Sequence, residues 1–274
     1  MGTAFKVDHD YHIHSYLSPC AGELRHAQTA ERILQYAREN GLSRVVVTDH
    51  FWDSDVAGDV GWYRELNLNY DHIAKILPLP QSEGVRFYFG CEVEMDRLMT
   101  LGIAKEKWDR FDFIIVATTH LHLEGITVET GDLTHPQRAQ LYVQRFQALL
   151  DADLPFHKVG IAHPTCSLIA GYGEFETHLD VLDLISDETF AHLFRQTAQK
   201  GMGVELNFPL NLYQPENYER VLRPYRIAKK CGCKFYVGSD AHHPKQFEGF
   251  RENFTQIAAL LDLQESDRFH FVGE

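Results

Sequence analysis

Histidine is the residue type with the clearest chemical potential in this 274-residue chain, because its 16 copies outnumber both the 12 tyrosines and the 10 prolines. His12 and His14 lie two residues apart in a segment that has a strand pattern. Side chains alternate between the two faces of a strand, so Asp10, His12 and His14 are predicted to point the same way. Two imidazoles on one face can bind a metal ion, but for one pair taken alone, hydrogen-bonded core histidines are the more common explanation.

Most apolar runs of the chain end on a residue type that can bind a metal ion. Five of these runs finish on histidine and a sixth finishes on glutamate. Core packing gives no reason for imidazoles to gather at one end of successive strands, whereas several metal ions need many N and O ligands in a small volume. The pattern therefore predicts a multinuclear metal site. The residues at these strand ends are His14, His50, Glu92, His120, His163 and His242, with Asp240 on the same face as His242.

Short apolar runs alternate with amphipathic segments along the chain, which predicts parallel strands joined by helical crossovers. Seven strands favour a closed or nearly closed barrel over an open sheet, although the sequence does not force closure. The predicted strands are Val7–His14, Arg44–Thr48, Val85–Glu92, Asp112–Thr118, Lys158–His163, Gly203–Asn207 and Lys234–Ser239. The predicted helices are Thr29–Asn40, Tyr70–Leu77, Pro136–Leu150, Asp187–Lys200, Tyr218–Cys231 and Gln246–Leu261.

No linker, sequence repeat or low-complexity stretch divides the sequence, so a single domain is predicted over residues 1–274. Three irregular stretches each follow a strand. In a β/α barrel they would be enlarged loops on the C-terminal face, where substrate sites are built. These stretches are Phe51–Asn69, Leu121–His135 and Ser167–Ser186.

The composition argues against membranes and nucleic acids as partners. A hydrophobic fraction of 44% is ordinary for a globular protein, and no apolar run is long enough to span a membrane. A net charge of −13 argues against binding to nucleic acid, because that affinity comes from clustered Lys and Arg. The N-terminus turns polar at once, and the five scattered cysteines do not form a disulfide pattern. We therefore expect a cytoplasmic protein without membrane or nucleic-acid partners.

The order of these segments resembles the polymerase and histidinol phosphatase (PHP) superfamily of metal-dependent phosphoesterases. The matching segments span nearly the whole chain, from residue 10 to residue 242. They are Asp10–His14 followed by Ser18, then Thr48–His50, Gly90–Glu92, Thr119–His120, Ala162–Pro164 and Gly238–His242. The resemblance implies an α/β fold, a distorted seven-stranded (β/α)7 TIM-like barrel, with two to three divalent ions (Zn, Mn or Fe) at the C-terminal strand ends.

Carried over position by position, the resemblance implies eight metal ligands. Glu92 would be a bridging carboxylate, and Asp240 would bridge ions or move a proton. Cys20 is a ninth candidate, because it stands where many members with three metals carry another histidine. A thiolate there could bind zinc, whereas a neutral thiol would leave one site weak or empty. The eight ligands are His12, His14, His50, Glu92, His120, His163, Asp240 and His242.

The chemistry that the resemblance implies is hydrolysis of a phosphate monoester. Divalent ions lower the pKa of bound water to near neutrality, so that hydroxide can attack phosphorus in line, and they offset the charge of the substrate. The substrate would be a small phosphorylated metabolite, with L-histidinol phosphate as the lead. Asp240 and His243 are the candidate catalytic residues, with His243 as an acid or a substrate contact.

Other polar residues near the predicted ligands have candidate supporting roles. Asp10 and Asp49 flank ligands and could orient imidazoles. Glu205 and Asn207 end the sixth predicted strand and could contact substrate. A phosphate group usually needs a cationic anchor, and the candidates are Lys245, Arg97 and Arg195.

Three other functions stay open. An amidohydrolase that cleaves C–N bonds also begins with His-x-His on a barrel strand, but it usually ends on a lone aspartate, whereas this chain ends on Asp240 and His242. A nuclease or other phosphodiesterase fits poorly with the acidic charge and the lack of a basic, aromatic patch. The third alternative is a metal-binding regulatory protein that has lost its activity, against which the eight ligand-type residues argue.

Overall fold

The computed structural model describes residues 2–58, 60–173 and 175–271. The single domain predicted for residues 1–274 therefore includes residues outside these ranges, as do the loops predicted at Phe51–Asn69 and Ser167–Ser186. No helix in the described ranges has both the length and the apolar character that a membrane span requires.

Seven parallel strands form the barrel in the order in which they occur along the chain, and one further short strand, the third along the chain, pairs with the strand that follows it in sequence. Between the first and last strands the barrel is joined by two main-chain hydrogen bonds, from His14 N–H to Ala241 O (3.1 Å) and from Asp240 N–H to His12 O (2.7 Å). The predicted (β/α)7 TIM-like barrel is confirmed. The strands are β1 His9–Ile13, β2 Arg44–Val47, β3 His50–Phe51, β4 Arg86–Glu94, β5 Phe113–Ala117, β6 Val159–Ile161, β7 Gly203–Leu206 and β8 Lys234–Val237.

Helices cover the outside of the barrel, and four of the six predicted helices lie within two residues of the predicted bounds. The helices are α1 Ala30–Glu39, α2 Trp62–Glu65, α3 Tyr70–Ile73, α4 His135–Asp151, α5 Thr177–Asp183, α6 Asp187–Lys200, α7 Tyr218–Lys230 and α8 Phe250–Leu260. Helices that alternate with strands along the chain bury one face, as α1 does with Ile33, Tyr36 and Ala37.

Three predictions about helices are wrong. The helix predicted at Tyr70–Leu77 is α3 followed by a 3-10 turn, and Leu77 lies before a proline, where α conformation is disfavoured. The helix predicted at Gln246–Leu261 starts only at Phe250, after Gly249 adopts a left-handed φ of 70°. The loop predicted at Ser167–Ser186 contains α5, whose four buried residues pack inward.

The interior of the barrel is filled by aromatic side chains. Two of them, Phe269 and Phe271, come from the segment after α8 and lie between strands, with Phe269 N–H bonded to Phe235 O (2.8 Å). Because their neighbours stand near the N-terminal ends of the strands, this cluster closes the end of the barrel opposite to the histidines. The members are Tyr11, Val46, Tyr88, Phe113, Ile115, Ala162, Tyr236, Phe269 and Phe271.

Candidate metal centre

The C-terminal strand ends bring all eight predicted ligands into one cluster. Parallel strands end at the same face of a barrel, so residues far apart in sequence meet there. Four groups of three have ligand atoms within 4.8 Å of one another, and together they include each of the eight residues. The groups are His12, His14 and Glu92; His12, His163 and Asp240; Glu92, His120 and His163; and His14, His50 and His242.

Glu92 lies at the centre of this cluster, with 1% of its surface exposed. Its Oε1 is 3.0 Å from Nε2 of His163 and 3.8 Å from Nε2 of His120. Its Oε2 faces three further rings, at 2.6 Å from Nδ1 of His50, 3.5 Å from Nε2 of His14 and 3.8 Å from Nε2 of His12. A carboxylate with both oxygens turned toward imidazole nitrogens has the geometry of a bridge between ions.

Two atoms at the centre of the cluster are better placed to bind one metal ion than to form a hydrogen bond with each other. His50 Nδ1 and Glu92 Oε2 are buried and lie 2.6 Å apart, yet neither has a hydrogen-bond partner of acceptable geometry. A buried polar atom without a partner is costly, and a shared cation removes that cost. Imidazole nitrogens with carboxylate oxygens are the donor set that suits Zn, Mn and Fe. The residues present therefore fit the divalent ions that the sequence predicts.

Two of the cluster residues have an unusual backbone conformation. His163 and Asp240 adopt positive φ values of 28° and 54°. A non-glycine residue in that region costs on the order of 1–3 kcal/mol, and such residues concentrate at functional sites. For Asp240, this conformation places Oδ1 3.0 Å from Nε2 of His14 and 3.2 Å from Nε2 of His12.

Four of the imidazoles are oriented by a hydrogen bond at Nδ1. In each case Nε2 then faces the cluster, and a proton held on Nδ1 leaves the Nε2 lone pair free for a metal. The pairs are His12 with Glu205 Oε1 (2.8 Å), His14 with Ser18 Oγ (2.8 Å), His120 with Glu94 Oε2 (2.7 Å) and His163 with Thr119 Oγ1 (2.7 Å).

Asp49 and Asp10 support the site in different ways. Asp49 Oδ1 accepts a hydrogen bond from the Ser18 hydroxyl (2.8 Å), so it acts on His14 through Ser18. The prediction that Asp10 shares a face with His12 is wrong, because the pairing of β1 with β2 is irregular between Asp10 and Ile13. The Asp10 carboxylate instead accepts hydrogen bonds from the Tyr36 hydroxyl (2.9 Å) and from the main chain of Ser239 and His12.

Glu205 lies buried among its partners, whereas Asn207 lines a cleft beside Asp240. Glu205 is fully buried and bonds to the His12 ring and to the main-chain N–H of His163. Asn207 donates to the carbonyl of Gly238 (2.9 Å). Gly238 is required there, since a Cβ would collide with Glu205 Oε1. Glu205 thus orients a ligand.

Glu94 is a supporting residue that the sequence interpretation missed. It lies two residues after Glu92 on β4 and is fully buried, with its Oε2 bonded to His120. The alternation along β4 places it on the same face as Glu92, and that signal could have identified it.

Cys20 lies at the edge of the cluster. The residue is exposed, but its sulfur is 3.0 Å from Nε2 of His50, which is in turn 3.3 Å from Nε2 of His242. Desolvation raises the pKa of this thiol, but the neighbouring His50 and His242 outweigh it and lower the pKa to about 6. A thiolate in this position faces His50 and His242, the two residues that form a candidate metal-binding group with His14.

The imidazoles of the cluster favour the charged forms of its carboxylates. Burial alone would raise the pKa of Glu92 and of Asp240, but His50 and His12 respectively hold each pKa well below its usual range. The pKa of His50 is raised in return, mainly by Cys20 and Glu92 against the opposing effect of burial. Because metal ligation needs neutral imidazoles, binding of an ion here would compete with binding of protons.

His243 is not brought into the cluster. Its main-chain N–H donates to Gln246 Oε1 (3.2 Å), and its ring Nδ1 is buried with no hydrogen-bond partner among the described residues. No metal-binding group of described residues includes it. Its part in a reaction stays a prediction.

A cleft of about 810 Å³ opens beside Asp240, between the segments that follow β6, β7 and β8. Its walls include the aromatic rings of Phe175 and Tyr213 and the ammonium-bearing side chain of Lys245. Of the three candidate phosphate anchors, Lys245 is the one that borders this cleft. Arg97 is paired with Glu129 (3.1 Å), and Arg195 is exposed on α6 in the outer layer.

Fold and cluster together define a TIM-like barrel with a candidate multinuclear metal centre. No protein-family model matches the sequence, and no curated protein matches it. Solved structures do match. Histidinol phosphate phosphatase (HisK) from Lactococcus lactis subsp. lactis Il1403, in complex with zinc, L-histidinol and phosphate, aligns with a TM-score of 0.60 and 16% identity, over 96% of this chain and 98% of that chain.

A second structure is an inferred histidinol phosphatase (HisK) from Listeria monocytogenes, with a TM-score of 0.60 and 15% identity over 88% of this chain and 97% of that chain. At these identities the likeness shows the fold alone, and the (β/α)7 TIM-like barrel expected from the sequence is confirmed. A D-hydantoinase from a Bacillus species aligns with a TM-score of only 0.40, which carries no argument for amide hydrolysis.

Proposed function

We propose that this protein is a metal-dependent hydrolase of phosphate monoesters of small metabolites, with L-histidinol phosphate as the lead substrate. The observation that carries the proposal is the gathering of eight N and O ligand residues, with Glu92 at their centre, beside an open cleft. The fold it shares with HisK, a phosphatase captured with zinc, L-histidinol and phosphate, supports the same function. We also propose that the enzyme is cytoplasmic and that residues 1–274 form a single catalytic domain.

The eight cluster residues would hold two to three divalent ions, with Glu92 as the bridge. Ions held there supply an activated water and positive charge for the phosphoryl oxygens. Glu205, Glu94 and Ser18 keep the rings turned so that Nε2 faces inward. Each of these contacts removes rotational freedom before substrate arrives.

Asp240 is the proposed proton acceptor. Its side chain is 29% exposed, borders the cleft and carries a carboxylate next to His12 and His14. Its carboxylate can take a proton from the attacking water and release it to solvent. Lys245 can bind the phosphate of the substrate from the wall of the cleft. His243 remains a proposed substrate contact from the segment that follows Asp240.

The function is tested with a panel of phosphate monoesters that includes L-histidinol phosphate, together with a phosphodiester and an amide, assayed with Mn, Zn or Fe. We expect monoester hydrolysis that a chelator abolishes and added metal restores. His12→Ala should abolish turnover, and His157→Ala, which changes an exposed histidine, should leave it unchanged. Amide turnover without any ester hydrolysis would contradict the proposal.

The proposed role of Cys20 has a spectroscopic test. If the sulfur binds an ion with His50 and His242, protein loaded with Co²⁺ will show a thiolate-to-metal absorption band in the near ultraviolet. We expect Cys20→Ser to lose this band and Cys20→His to lose it while keeping the ion. Cys231→Ser, which changes a thiol beside Ala191 outside the cluster, is the matched control. A loaded protein without the band would show that Cys20 is not a ligand.

A further inference from the structure

Arg145 is a fully buried cation that reaches the site from outside the barrel. It lies in α4, and its guanidinium donates hydrogen bonds to carbonyl groups in the segments that follow β4 and β5. The acceptors are Met95 O (2.8 Å), Asp96 O (3.0 Å), Thr118 O (2.8 Å) and Thr127 O (3.1 Å). Arg145 therefore fixes the C-terminal ends of two neighbouring strands relative to each other.

Glu94 lies between this guanidinium and the metal cluster. Its Oε1 is 3.5 Å from Arg145 Nη2 and accepts the main-chain N–H of Met95 (2.9 Å). Its Oε2 is 2.7 Å from His120 Nδ1 and accepts the Tyr63 hydroxyl (3.0 Å). A carboxylate without solvent contact needs compensating charge, and Arg145 is a buried cation beside it, on the side away from His120.

We propose that Glu94 and Arg145 are positioning residues for His120. Arg145 holds Glu94 in place and compensates its charge, and Glu94 keeps the His120 proton on Nδ1. Nε2, which lies 3.8 Å from Glu92 Oε1, then stays available to bind a metal ion. Outer partners of this kind are worth about 10- to 100-fold in metal affinity. The inference rests on the proposed function in one respect, which is that His120 binds a metal.

A purely structural role for these residues makes a different prediction. If Arg145 and Glu94 only fasten the strand ends, removing the negative charge of Glu94 would change stability but not the proton position on His120. Glu94→Gln separates the two roles, because Arg145 keeps its four carbonyl acceptors. The new amide can donate to His120 Nδ1, which would move the ring proton to Nε2, toward the cluster. Tyr63→Phe is the matched control, since it removes a hydrogen bond from the same carboxylate without touching Nδ1.

The experiment uses the full chain and two measurements. Long-range ¹⁵N–¹H spectra of the metal-free protein report which nitrogen of His120 carries the proton, and a zinc titration against a competing chelator reports affinity. We expect an Nδ1 proton in the unmodified protein and in Tyr63→Phe. In Glu94→Gln we expect an Nε2 proton and zinc binding weakened about 10- to 100-fold.

The inference is overturned if Nδ1 of His120 carries no proton in the unmodified protein, a result that needs no variant to fold. It is also overturned if Glu94→Gln folds and changes neither the proton position nor zinc affinity. A protein that binds no zinc would contradict the proposed function instead, since the proton position is measured without metal. The two failures are therefore distinguishable.

Discussion

We expect the replacement of Glu92 with glutamine to remove the proposed metal centre and, with it, the proposed hydrolysis of phosphate monoesters. The two oxygens of Glu92 face five imidazole rings, so a neutral amide with one weak acceptor loses contacts to several ions at once. Because outer partners alone are worth about 10- to 100-fold in affinity, we expect zinc affinity to fall by at least about 100-fold. Elemental analysis after dialysis and a monoester assay measure the two effects.

A matched control separates this effect from the loss of a negative charge in general. Glu219→Gln also removes a carboxylate, but that side chain is 74% exposed and pairs with Arg226 on the outer surface of α7. We expect its metal content and its activity to equal those of the unmodified protein. Glu92→Gln protein that is folded, retains its full metal content and hydrolyses the ester would show that Glu92 does not bridge ions.

Replacing Phe271 with alanine will lower the free energy of unfolding by about 3–5 kcal/mol, as expected for a large aromatic ring removed from a packed core. The ring is 3% exposed, and its centroid lies 5.2 Å from Tyr11, 5.0 Å from Tyr88 and 5.1 Å from Phe113. The strands around it cannot collapse into the space without breaking their main-chain pairing. Urea denaturation followed by circular dichroism measures the change.

The control for this variant is Tyr172→Ala, which removes an aromatic ring that is 81% exposed. Its effect on the free energy of unfolding should stay within about 0.5 kcal/mol. The folded fraction of Phe271→Ala should still bind zinc, because the aromatic cluster and the metal cluster lie at opposite ends of the barrel. Equal stabilities for the two variants would mean that the segment after α8 does not close the barrel.

The sequence predicts the barrel well because its strands are short apolar runs with clear ends. All seven predicted strands form, and the histidines that end them meet because parallel strands finish at one face. The prediction of α6 at Asp187–Lys200 agrees with the structure in full, since Ser186 caps its start and Gly201 ends it. These features are local, so a single sequence contains the information.

What the sequence could not show depends on contacts between distant residues. Arg145 occurs in a helix pattern where arginine is ordinarily exposed, and its acceptors Met95 and Thr118 lie 50 and 27 residues away. Glu205 bonds to His12 across 193 residues of chain. The irregular pairing of β1 also breaks the strict alternation on which the position of Asp10 was predicted. No periodicity in the sequence encodes such contacts.

Ions bound at the seam between β1 and β8 would also affect the stability of the protein. His14 and Asp240 are 226 residues apart in sequence, yet their side-chain atoms are 3.0 Å apart across that seam. An ion bound by both would act as a crosslink that closes most of the chain into a loop, which lowers the conformational entropy of the unfolded state. Loss of the ion would then make the protein easier to unfold by heat and to cleave by proteases, in addition to abolishing the proposed activity. The abundance of the protein in a cell would therefore depend on the supply of the ion.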